Sequence, residues 1–155
     1  MTDAETILRT VRTVIVVDWP IKDLPETLFR AGYAVGVKGG PADTYVVCEA
    51  ADDGSIRQQP IGRPERVDLV HVYRPIDELP GFVTLALELG ATTVWVLSGL
   101  APDGTRDPTG CWLPSEASAA ARQLVETAGL VYLDHPYIAD VVRAVGGTRA
   151  PGAPG

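Results

Sequence analysis

The chain has 155 residues, 46% of them hydrophobic and 21% charged, with 20 acidic against 13 basic side chains and a formal net charge of −7. That size suits one domain with its own core, because domains commonly run to about 100–150 residues, while the negative charge opposes the phosphate attraction behind duplex binding and argues against nucleic acid as a partner. No apolar run approaches the ~20 residues of a membrane helix, and the acid-bearing start Met1-Thr2-Asp3-Ala4-Glu5-Thr6 lacks the features of an export signal, so the expectation is a cytoplasmic protein with no membrane partner.

Thr2 and Glu5 have capping-box spacing, and Ile7, Leu8 and Val11 follow at helical steps, which predicts a short amphipathic helix. Thr13 to Val17 is a β-branched run suited to a strand buried on both faces. Asp23 and Glu26 then open a helix carrying Leu24, Leu28 and Ala31 and stopped by Gly32, after which Ala34 to Lys38 reads as a second strand. Gly39-Gly40-Pro41 is a turn, and the apolar Tyr45 to Cys48 and polar Ser55 to Gln59, joined by Asp52-Asp53-Gly54, predict a β-hairpin around 45–61. Asp68 to Arg74 reads as a buried strand, followed by a helix capped by Asp77, carrying Leu79, Phe82, Ala86 and Leu89 and closed by Gly90. Thr92 to Leu97 is the next strand, Ala101 to Pro114 a Pro/Gly/Asp-rich loop, and Ser115 to Ala128 an alanine-rich helix stopped by Gly129. Leu130 to Leu133 gives a last short strand, and Pro136 starts a helix with Ile138, Val141, Val142 and Val145. Residues 147–155 lack apolar periodicity and are read as a disordered tail on a domain spanning 1–146.

Strands alternating with helices predict an α/β fold, a three-layer, Rossmann-like, doubly wound parallel sheet of about five strands with the hairpin as an extra. Ligands in such sheets bind outside the carboxyl ends of the strands, where strand order reverses. Those ends carry Asp18-Trp19, Lys38-Gly39-Gly40, Arg74-Pro75, Ser98-Gly99 and Asp134-His135.

Arg74, held extended before Pro75, suits either a phosphate or carboxylate contact or an ion pair with Asp77 or Asp18. Lys38 with Gly39 and Gly40 reads either as a charged, close-approach nucleotide contact or as a flexible turn. Ser98 and Gly99 offer a hydroxyl and a close backbone contact, or a plain strand-to-loop turn. Trp19, Trp112 and Tyr137 are stacking candidates or ordinary half-buried aromatics, and Trp112 would sit on a lid if its loop folds over the strand ends. His71, inside an apolar strand, reads as a packed core residue. Asp18 and Asp134 are a weak Mg²⁺ pair, and Asp134-His135 an acid and base without a nucleophile motif, so no catalytic residues and no metal site are assigned. Cys48 and Cys111 match no metal or disulfide spacing and are read as reduced, partly buried thiols.

The stretch VDLVHVYRPIDELPGFVTLALELGATTVWVLSGL at 67–100 resembles the small single-domain CoA-binding proteins related to the CoA-binding domain of succinyl-CoA synthetase. The resemblance continues through AARQLVETAGLVYLD to Asp134 and includes AGYAV at 31–35, about two thirds of the chain. It implies the Rossmann-like fold and a CoA or acyl-CoA ligand held near Arg74, Lys38, Gly39, Gly40, Ser98, Gly99 and Trp19. Where the family has a glycine-containing loop after its first strand, this chain has VDWPIKDLPETL, with no glycine between Thr13 and Gly32. A phosphate about 5 Å from Asp18 would lose about 3 kcal/mol at an effective dielectric near 20. Three readings follow: a non-catalytic module for CoA, acyl-CoA or another adenine nucleotide; a diverged scaffold without cofactor, acting as a homodimer or accessory subunit; and, least supported, a small enzyme.

Overall fold

The computed structural model describes residues 3–17, 23–39, 44–73, 78–96, 115–134 and 138–145. In chain order the elements are α1 (Asp3–Thr10), β1 (Thr13–Val17), α2 (Asp23–Arg30), β2 (Ala34–Lys38), β3 (Tyr45–Ala50), β4 (Ile56–Ile61), β5 (Leu69–Val72), α3 (Leu79–Glu88), β6 (Thr93–Val96), α4 (Ser115–Thr127), β7 (Val131–Leu133) and α5 (Ile138–Val145).

All seven strands join one sheet in the order β4-β3-β2-β1-β5-β6-β7. The pairs β1–β2, β1–β5, β5–β6 and β6–β7 are parallel, so the five strands read from apolar runs lie side by side in one direction. The hairpin forms as expected and extends the sheet, β3 pairing antiparallel with both β2 and β4. Parallel neighbours need long crossovers, and the helices that make them cover the two faces. One core layer joins α1, α2 and α5 to Val14, Val16, Val35, Leu69 and Trp95. The other joins α3 and α4 to Ile15, Val17, Val70, Val72, Val94 and Val96. The period-two alternation within β1, with Val14 and Val16 on one face and Ile15 and Val17 on the other, explains the continuous apolar run: both faces are buried.

Helix ends follow the glycines. At the end of α3 the Gly90 N–H donates to Leu87 O and the Ala91 N–H to Ala86 O, with Gly90 at φ 73°, a Schellman motif that requires the left-handed conformation. The same bond pair closes α2 at Gly32 and α4 at Gly129. At the start of α3, Glu78 is the N-cap without a side-chain capping bond and Pro80 occupies the first turn; Asp77, the expected cap, lies outside the described residues, as do Thr2, Pro136 and the tail.

The amino-terminal rim of the sheet is tied by Asp68. Its carboxylate accepts the backbone N–H groups of Arg12 (2.9 Å) and Thr13 (3.2 Å), and its own N–H donates to the Thr13 hydroxyl (3.0 Å). The Thr92 N–H donates to Asp68 O, so this one residue links the entries of β1, β5 and β6. Burial works to raise the Asp68 pKa, but the bonds from Arg12 and Thr13 and the nearby Arg66 charge outweigh it and hold the carboxyl below its ordinary value. No described helix is long and apolar enough to cross a membrane.

Candidate functional site at the strand ends

The registers place Val17, Lys38, Val72 and Val96 in one row across β1, β2, β5 and β6, with Leu133 of β7 beside Trp95. This row is the carboxyl rim. From β1 the chain moves outward to β2 and later returns to β5 on the other side of β1, so the strand order reverses between β1 and β5. A crevice for a ligand is expected at that point, because the helices that follow the two strands, α2 and α3, pack in opposite core layers. Tyr73 still donates its N–H to Val17 O (3.3 Å), so the paired backbone runs up to the residue before Arg74. Arg74 therefore follows the last described residue of one wall by a single peptide, and Trp19 follows Val17 by two.

Of the expected contact residues, Lys38 and Gly39 are described; Trp19, Gly40, Arg74, Ser98 and Gly99 lie outside the described residues, together with Asp18, Trp112, His135 and Tyr137. Lys38 is 6% exposed. Its ammonium lies 5.2 Å from the ring centroid of Tyr45, its Cα partner on β3. A cation over an aromatic face away from water is stabilised by about 2 kcal/mol, which offsets part of the cost of burying the charge. Sequence inspection missed Tyr45, although the signal was there: a short turn after Lys38 into an antiparallel strand brings the first residue of that strand opposite the lysine. Gly39 closes the turn with its N–H donated to Thr44 O (3.1 Å). A Cβ at Gly39 would lie 2.6 Å from Thr44 Oγ1, so the position requires glycine or a shift of Thr44.

On the far side of the rim, the Tyr132 hydroxyl donates to Asp134 Oδ2 (3.0 Å), and the Arg122 guanidinium of α4 lies 4.9 Å over the Tyr132 ring. That bond orients the Asp134 carboxylate at the end of β7. His71 is fully buried in β5, and burial lowers its pKa from 6.5 to about 3, so the imidazole is neutral near pH 7. Its neighbour across the strand is Trp95, also fully buried, so both are core residues and neither faces the rim. Cys48 is buried and free; burial pushes its thiol pKa up, the Gln58 hydrogen bond works against this and the Glu26 charge adds to it, leaving a thiol of low reactivity. Among the described residues no three His, Cys, Asp or Glu side chains gather as a metal site.

No curated protein matches the sequence. In fold the chain is similar to a crystal structure of Prb, the PH1109 protein redesigned for binding, with a TM-score of 0.62 at 16% identity over 94% of this chain and 92% of that one. The model of the CoA binding domain family matches residues 47–139, a span that takes in β5, β6 and the switch-side strand end before Arg74, and that leaves out β1 and the stretch after it where glycine is lacking. With more than half of its length matched, the chain belongs to the CoA binding domain family.

Proposed function

We propose that this chain is a non-catalytic binding module for CoA or an acyl-CoA, with the ligand lying over the carboxyl rim at the β1–β5 switch. The observation that carries this reading is that the family match takes in the β5 side of that switch, where the residue following Tyr73 is an arginine. Arg74 is assigned to a phosphate, for which a guanidinium fork is suited. Ser98 and Gly99 supply a hydroxyl and a close backbone approach from β6, and the Gly39-Gly40 turn does the same from β2. Lys38, held over Tyr45, contributes a fixed positive potential beneath that turn. Trp19 stacks on the adenine. Arg74, Ser98 and Gly99 fall within the matched span 47–139, whereas Trp19, Lys38, Gly39 and Gly40 precede it.

Calorimetry and thermal shift with CoA, acetyl-CoA, ADP and ATP test the assignment. At a hundredfold excess over Kd, binding stabilises the native state by about 2.7 kcal/mol, and Arg74→Ala is expected to weaken binding by at least about tenfold, as loss of a charge-assisted bond does. Absence of heat and of any thermal shift with all four ligands at millimolar concentration would refute the reading. It would instead favour the second one, an accessory scaffold without cofactor, which rests on the missing glycine between Thr13 and Gly32 and on Asp18 at the end of the first strand.

A further inference from the structure

We propose that Lys38 makes the carboxyl rim selective for a phosphorylated ribose: it reads the 3′-phosphate of CoA and discriminates against nucleotides whose adenosine ribose carries only hydroxyls. The inference rests on the assignment of CoA or an acyl-CoA to the β1–β5 switch. In parallel sheets that bind nucleotides at such a switch, the residue at the carboxyl end of the second strand, about 20 residues after the first strand's turn, meets the adenosine ribose. An acidic residue there accepts from the ribose hydroxyls, whereas a basic one accommodates a ribose phosphate. In this chain β2 lies directly beside β1, and its last residue, the Cα partner of Val17 in the rim row, is Lys38.

The surroundings hold this lysine in one place. Lys38 is 6% exposed, and its ammonium lies 5.2 Å from the ring centroid of Tyr45. The register sets that contact, because β3 returns antiparallel and brings Tyr45 opposite Lys38. The return is pinned by the Gly39 N–H donated to Thr44 O (3.1 Å), at a position where a Cβ would lie 2.6 Å from Thr44 Oγ1. The hairpin thus does more than widen the sheet: its first residue carries the ring that orients the cation. An aromatic face orients an ammonium without cancelling its charge. Largely shielded from bulk water, such a charge attracts a phosphate several-fold more strongly than it would at an open surface, and a lysine meets phosphate as a point charge. The chain as a whole carries −7 and repels a polyanionic ligand, so a fixed local cation decides which nucleotide is tolerated at the end of β2.

Calorimetric titration of the full chain with CoA and with dephospho-CoA, which differ only in the 3′-phosphate, tests it. The parental protein is expected to bind CoA at least about tenfold more tightly, as loss of one charge-assisted contact implies. Lys38→Met keeps an unbranched side chain over Tyr45 without the charge, and is expected to weaken CoA by at least about tenfold and to bring the two Kd values together. Lys38→Gln, uncharged but polar, carries the same expectation and serves if the methionine variant does not fold. Equal Kd values for the two ligands in the parental protein, or a preference for CoA that survives in a folded Lys38 variant, would overturn the inference and leave the CoA assignment standing. Binding of neither ligand would remove the CoA assignment itself, and this inference with it.

Discussion

Replacing His71 removes a defined part of the protein's acid sensitivity. The imidazole is fully buried, and its folded pKa lies near 3 against an ordinary 6.5. Between these values the unfolded chain takes up a proton that the folded chain refuses. The neutral histidine therefore costs nothing above pH 6.5, and native stability falls as pH drops from 6.5 toward 3, by up to about 1.4 kcal/mol per pH unit. The loss relative to neutral pH is about 2 kcal/mol at pH 5 and about 3 kcal/mol at pH 4. For a domain of this size, 2 kcal/mol corresponds to a melting temperature lower by roughly 4–8 °C. His71→Leu removes the titrating group while keeping an apolar side chain of similar bulk beside Trp95. Its absolute stability shifts with packing, so the decisive quantity is the difference in slope. Urea unfolding of both proteins at pH 7.5, 6 and 5 measures it, and the contributions of groups common to both proteins cancel. The parental protein is expected to lose about 2 kcal/mol more than the variant on going to pH 5. If the two lose stability in parallel, the imidazole is accessible to protons in the native state and the argument from burial fails.

Three further substitutions probe the sheet. Asp68→Ala frees the Arg12 and Thr13 N–H groups and is expected to cost about 1–2 kcal/mol by chemical denaturation, less than a deeply buried carboxylate because water reaches the site. Since the folded Asp68 pKa lies below its ordinary value of 3.8, this contribution is complete above about pH 4 and is lost as pH falls through the folded value, so the variant's acid transition below pH 4 is expected to be shallower. At Gly36 a Cβ would lie 2.7 Å from Ile15 Cδ1, so Gly36→Ala forces that methyl aside and is expected to destabilise by about 1–2 kcal/mol, as overpacking does. Ile15→Val deletes the methyl; a double variant no less stable than Ile15→Val alone, in thermal melts, is the expected sign of that contact, and simple additivity would refute it.

Much of the fold was legible locally. The run TVIVV announces a strand buried on both faces because helices cover both sides of β1, and Gly32, Gly90 and Gly129 mark the helix ends because the Schellman turn demands positive φ there. The hairpin was readable from its turn, but not its seat on the edge of β2, which depends on pairing rather than pattern. At the candidate site the strand ends were legible as positions, whereas the partners of Lys38 and Asp134 were not.

Periodicity and turn chemistry, which act over a few residues, determined by themselves where strands and helices lie, and the alternation of the two pointed to the parallel run of β2, β1, β5, β6 and β7. Only the tertiary structure decided what meets across long separations: Asp68 bonded to Thr13 from 55 residues away, Lys38 lodged over Tyr45, and α4 leaving a groove against α3. The physical reason is that burial and backbone geometry are written along the chain residue by residue, while a hydrogen bond or ring contact between distant segments exists only once the sheet order has brought them within reach.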